Sequence, residues 1–101
     1  MNFQNLMQQA QKMQREMNKK IADFEAKEFE YNYQNSSVIV KLTGKLEIKN
    51  IIINDVLVDP EDKTTLQDMV AEAINAAIKA VSQQKEAITQ SAMPKGMGGL
   101  F

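Results

Sequence analysis

Residues 28–54 read EFEYNYQNSSVIVKLTGKLEIKNIIIN, and this stretch decides the fold. Phe29, Tyr31 and Tyr33 alternate with Glu28, Glu30, Asn32 and Gln34. Val38, Val40 and Leu42 alternate with Ile39, Lys41 and Thr43. Leu46, Ile48 and Ile52 continue the rhythm, with Ile51 and Ile53 on the opposite side. Period-two runs of β-branched and aromatic residues, broken at Asn35-Ser36-Ser37 and at Thr43-Gly44-Lys45, predict three strands joined by two tight turns. Gly44 is expected to supply the freedom in φ that a hairpin turn needs. The centre of the chain is therefore an antiparallel meander. Ile51-Ile52-Ile53 makes its third strand apolar on both faces, which one-sided packing does not require. A second copy of the chain is the simplest cover, because two-fold dimers are the commonest oligomers. A helix of the same chain would also serve.

Outward from the meander, Asn2 to about Ala26 contains no Gly or Pro and is rich in Gln, Met, Lys and Ala, which favours helix. Leu6, Ala10, Met13, Met17, Ile21 and Phe24, with Met7 beside them, fall three and four apart on one face. About 25 residues make a rod of roughly 38 Å. A compact 100-residue globule has a radius of gyration of only about 13 Å. One end of the rod is thus expected to project unless a partner covers it. The Met-rich stripe reads first as packing against the sheet or another helix. A groove-binding or membrane-surface face is the rival reading; the absence of Trp and the modest basic charge weigh against a membrane.

On the other side, Asp59-Pro60-Glu61-Asp62 gives a helix-start signature, with Asp59 as cap, Pro60 at the first position and the acids at the positive end of the dipole. Thr65 with Asp68 offers a second start, so a short turn can precede the main helix. Capping also accounts for these carboxylates better than a metal does. Leu66, Met69, Val70, Ala73, Ile74, Ala77, Ile78 and Val81 form a stripe expected to lie on the sheet. After Val81 the stripe thins to Ile88 and Ala92, and this end is expected to extend free of the body. Pro94 and the glycines of residues 94–101 end the helix and predict a flexible tail after a single domain of residues 1–93.

The chain has 101 residues, one domain by size, and its 44% hydrophobic and 25% charged residues are globular rather than disordered in composition. It has neither cysteine nor histidine, which removes disulfides, thiolate chemistry, the commonest general base and the commonest transition-metal ligand. No catalytic constellation of the remaining Asp, Glu, Lys, Ser and Tyr stands out, so no enzyme, metal, cofactor or small-molecule substrate is expected. No apolar run approaches the roughly 20 residues of a membrane span. A cytoplasmic life fits.

The net charge of −1 hides an asymmetry. Residues 1–22 carry Lys12, Arg15, Lys19 and Lys20 against Glu16 alone, whereas residues 23–101 carry eight lysines against twelve acids. Lys12, Arg15 and Lys19 share one helical face, and Lys20 flanks it. Such a face is either a solvated surface that keeps the helix soluble or a ridge for nucleic-acid phosphates. The surrounding Gln4, Gln8, Gln9, Gln11 and Gln14 can hydrogen-bond phosphate or an adenine edge, and are also ordinary exposed helix residues.

In four places, in order along nearly the whole chain, the sequence resembles the YbaB/EbfC family of small bacterial nucleoid-associated proteins. These are Leu6-Met7-x-Gln9-Ala10-Gln11-Lys12-Met13-Gln14, Val40-Lys41-Leu42-Thr43-Gly44-Lys45, Leu57-x-Asp59-Pro60-Glu61-Asp62 running into Leu66-Gln67-Asp68-Met69-Val70-x-x-Ala73-x-Asn75-x-Ala77, and the Gly-rich tail ending in Leu100-Phe101. The resemblance implies an α+β fold of helix, three-stranded antiparallel meander and long helix (α-β-β-β-α), dimeric through the sheet region with projecting helical arms. It implies a double-stranded DNA partner, a role in nucleoid organisation and gene expression, and no catalytic or cofactor residue. The family's basic contact positions match here at Lys12, Arg15 and Lys19, with Lys20 adjoining. Where many relatives have glycines between the first two strands, this chain has Gln34-Asn35-Ser36-Ser37, and its overall charge is slightly acidic. The competing expectation is a protein-binding adaptor that grips a partner with projecting amphipathic helices and touches no DNA.

Overall fold

A computed structural model describes residues 2–91, in the order α1 (Phe3–Ala26), β1 (Glu28–Tyr33), β2 (Val38–Thr43), β3 (Ile48–Ile53), a 3-10 turn (Asp55–Leu57) and α2 (Lys63–Ser91). The α-β-β-β-α architecture is the expected one. The Gly-rich tail expected at residues 94–101 lies outside the described residues.

The sheet is antiparallel in the order β1-β2-β3. Tyr33 pairs with Val38, Tyr31 with Val40 and Phe29 with Leu42, so one face carries the aromatics of β1 beside the apolar residues of β2. Ile53 and Ile51 pair with Val38 and Val40 and extend that face into β3. α2 covers it. Val38, Val40 and Leu42 are fully buried against Ala73, Ala77 and Val81. Two alanines in the contacting stripe bring the helix close to the pleat, and each buried β2 side chain contributes about 1.5–3 kcal/mol. Tyr33 donates to Glu72 Oε2 at 2.7 Å and ties the edge strand to α2; that bond raises the Tyr33 pKa above its usual value.

The opposite sheet face carries Glu28, Glu30, Asn32, Ile39, Lys41, Asn50 and Ile52, and no described helix covers it. Ile39 pairs with Ile52, which is 42% exposed. The expectation that β3 needs cover on both faces thus meets described residues that cover only one.

Both turns differ in detail from the sequence reading. In the first, Gln34, Asn35 and Ser36 have φ of 50°, 54° and 64°. Three successive left-handed residues explain why glycine suits this turn; Ser37 holds it closed, its N–H and Oγ both donating to the Gln34 carbonyl. In the second turn the left-handed residue is Leu46, at φ 70°, and Gly44 does not use positive φ at all. Leu46 accordingly sits in the loop, and β3 starts at Ile48. Thr43 organises this loop, its Oγ1 accepting from the Lys45 and Glu47 amides. Gly44 is required for space. A Cβ there would overlap the Phe24 carbonyl oxygen and stand 2.8 Å from Phe24 Cδ1.

The start of α2 also shifts. Asp59 Oδ1 accepts from the Glu61 amide in a turn before the helix, and Asp62 is the cap, with Oδ1 accepting from Thr65 N–H and Oδ2 from Thr65 Oγ. Neither Asp59 nor Thr65 caps α2. At its other end α2 does not run free as far as Ser91. Lys85 pairs with Glu25 at 3.1 Å and Ile88 packs on the core next to α1.

Gly44→Ala is expected to lower the urea unfolding midpoint by the equivalent of about 1–3 kcal/mol, since Phe24 backbone must move. Ser36→Gly is expected to raise it by about 0.5–1 kcal/mol, relief of a left-handed side chain exceeding the entropy of glycine. The Thr65 bonds hold the Asp62 carboxyl below its ordinary pKa. A depressed folded pKa means that the cap's contribution is present above about pH 4 and is lost as pH falls through the folded value. Asp62→Ala should therefore lower the melting temperature at pH 7 and flatten its decline below pH 4.

Candidate nucleic-acid interface

α1 begins at Asn2, whose Oδ1 accepts from the Gln4 amide. With 24 helical residues it is roughly 36 Å long. Its one buried residue is Phe24, whose ring centroid lies 5.0 Å from that of Phe29. Lys27 N–H donates to the Phe24 carbonyl, and the Lys27 carbonyl accepts from Gly44 N–H at 3.0 Å. These contacts seat the last turn of α1 on the β2–β3 loop and beside the end of α2. Residues 2–16 are exposed all round. The helix stands off as an arm, and the molecule measures 72 × 25 × 17 Å.

Lys12, Arg15 and Lys19 lie along this arm on one face and are exposed. Among the described residues the ion pairs are Lys49–Glu47 and Lys85–Glu25, so none of the three is neutralised by a carboxylate. Glu16, one turn from Lys12 and from Lys19, is the acid nearest to them in the helix and makes no ion pair with either among the described residues. Gln8, Gln9 and Asn5 border a shallow recess with Lys12, offering amide donors beside the cation. Gln14 donates to Asn18 Oδ1 at 3.0 Å, an exposed one-turn pair that stiffens the same stretch.

Lys20 is set apart from the other three. It lines a recess at the root of the arm with Asp23, Phe24, Lys27, Ile88 and Ser91. Lys27, the residue that follows the last helical residue Ala26, is its basic neighbour there. The seven-residue spacing, two helical turns, is the signal that would have found it. Asp23 in the same recess offsets part of the pair's charge. The Met-rich stripe divides likewise: Phe24 is buried and Met17 and Ile21 are partly buried, but Phe3, Leu6, Met7 and Met13 are exposed. Packing accounts for the foot of the stripe and not for its tip.

The remaining acidic cluster holds no ligand geometry. Asp59 and Asp62 spend their carboxylates on backbone and Thr65, and among the described residues no group of Asp and Glu is placed to hold a metal ion. No described helix is long and apolar enough to cross a membrane.

Comparison with known proteins bears on the fold and the family. A solved structure of an uncharacterized protein from Helicobacter pylori superposes with a TM-score of 0.71 at 23% identity, covering 90% of this chain and 96% of that one, and so shares the fold. A nucleoid-associated protein of Malacoplasma penetrans is 50% identical over 94 residues, 93% of this chain and 99% of the relative. A nucleoid-associated protein of Ureaplasma urealyticum is 43% identical over 97% of this chain and 98% of its own. The family model described as the YbaB/EbfC DNA-binding family matches residues 1–97, and the chain belongs to that family.

Proposed function

We propose that this protein binds double-stranded DNA in the bacterial nucleoid as a homodimer, with little sequence specificity, and thereby organises the nucleoid and influences gene expression. The observation that carries the reading is the face of Lys12, Arg15 and Lys19, exposed on the arm and without an ion pair among the described residues. Family membership and the nucleoid-associated relatives support it. The mechanism is electrostatic: each cation that meets a phosphate releases a condensed counterion, and the entropy of release drives binding. Flexible lysines along a rod contact phosphates and carry no base-edge code, which accounts for low specificity. Lys20, with Lys27, adds positive charge at the root. The net charge of −1 is compatible with this because twelve of the thirteen acids lie outside residues 1–22.

Dimerisation is supported by the uncovered sheet face, where Ile39 and Ile52 form an apolar centre between Asn32, Lys41 and Asn50. Two such faces are self-complementary, as a two-fold contact requires. A dimer presents about six arm cations to one duplex.

With about six phosphate contacts, a plot of log affinity against log salt should slope near −5. Lys12→Ala should reduce that slope by about one unit per copy, alike for unrelated sequences. Replacing Lys12, Arg15 and Lys19 together by Glu should abolish binding at moderate salt; unchanged binding would reject this interface. Ile52→Asp is expected to halve the mass measured by light scattering at dilute concentration, and with it the salt slope. An unaltered mass would locate the dimer contact elsewhere.

A further inference from the structure

Residues 2–11 carry no charged side chain, yet six of the ten are Asn or Gln. The cations of the arm begin only at Lys12. Gln8, Gln9 and Lys12 follow Asn5 by three, four and seven residues, so the four share one helical face, which continues through Arg15, Glu16 and Lys19. The three amides line one recess with Lys12. Among the described residues the side-chain hydrogen bonds of the arm join Asn2 to the Gln4 amide and Gln14 to Asn18, and the side chains of Asn5, Gln8 and Gln9 make none. Glu16, the acid on this face of the arm, is two turns beyond Gln9 and outside the recess.

We propose that Asn5, Gln8 and Gln9 enter the major groove of the duplex and pair with adenine edges, which gives the binding a modest preference for A·T-rich sites. This use of the tip rests on the proposed phosphate contacts of Lys12, Arg15 and Lys19, which it extends. Side-chain chemistry selects a base edge over the backbone. An amide presents donors and an acceptor together, whereas a phosphate only accepts and would leave the amide oxygen unused. Adenine offers a donor at N6 beside an acceptor at N7; guanine offers two acceptors there and cytosine a donor alone. A tip without cations adds nothing to counterion release, so its amides serve a contact other than the electrostatic one. Shape permits entry. Residues 2–16 are exposed all round, and a helix about 10–12 Å across fits a groove about 12 Å wide. Lys12, in the same recess, meets a flanking phosphate and fixes the register of the amides. A few amides on one short face give discrimination far below that of sequence-specific regulators, so binding stays largely independent of sequence.

Equilibrium binding of the full chain to two duplexes of equal length, one rich in A·T and one rich in G·C, measures the preference across a salt titration. Binding to the A·T duplex should be at least about fivefold tighter, the low end for one amide–adenine pair. Replacing adenine by 7-deazaadenine removes the N7 acceptor while keeping Watson–Crick pairing and the minor-groove edge, and should reduce the preference to below about twofold. The chain carrying Asn5→Ala, Gln8→Ala and Gln9→Ala, in which alanine favours the helix, should lose the preference equally and keep the original salt slope, because no cation is removed. Equal affinity for the two duplexes overturns the proposal, as does a preference that survives the three alanines. A preference that survives 7-deazaadenine overturns it as well, because the readout would then lie in the minor groove or in DNA shape. A steep salt slope without A·T preference defeats the base contact alone and leaves the proposed function standing; a flat slope defeats both.

Discussion

The seat of α1 on the β2–β3 loop is the contact on which the rest of this molecule depends. Phe24 is buried against Phe29, its carbonyl occupies the space that a side chain at Gly44 would need, and Gly44 N–H is bound by the Lys27 carbonyl. The Glu25–Lys85 pair fastens the same turn to α2, although both side chains are partly exposed and the pair is worth little beyond alignment. A rod of roughly 36 Å is thus oriented by the two turns from Met17 to Phe24.

The same architecture separates charge along its long axis. α2 is 29 residues long and runs from an acidic start at Asp59, Glu61 and Asp62 to its contact with the foot of α1. The arm continues beyond that contact in the direction away from those acids. Carboxylates at the α2 N-terminus satisfy amides and the helix dipole, which is a structural demand. Among the described residues, Lys12, Arg15 and Lys19 make no ion pair. The 22 residues of α2 from Lys63 to Lys85 span roughly 33 Å, more than the screening length of about 8 Å at physiological salt, so the acids at the start of α2 do not cancel the attraction of the arm for a polyanion.

The strands, their order and the covering helix were legible in residues 28–54 and in the stripe from Leu66 to Val81, because period two and period 3.6 are local properties of a chain. The basic face of Lys12, Arg15 and Lys19 was legible for the same reason. What the letters did not convey was the purpose of Gly44: a glycine near a turn suggests backbone freedom, and here it answers to a helix that arrives from twenty residues upstream. Nor did they convey that Lys20 leaves the basic face to join Lys27 and Asp23, since that follows from where α2 ends, or that Asp62 rather than Asp59 caps α2, since both are plausible caps by spacing.

By itself, then, the sequence determined which residues alternate, which helix faces are apolar and which are charged, because these follow from periodicity and side-chain chemistry within one element. Only the tertiary structure decided how far each apolar face is covered. It placed α2 over Val38, Val40 and Leu42, laid no described helix over Ile39 and Ile52, and ran the Met-rich stripe past the end of its described support. Burial is a relation between elements distant in sequence, and one element's pattern cannot specify its neighbour's reach.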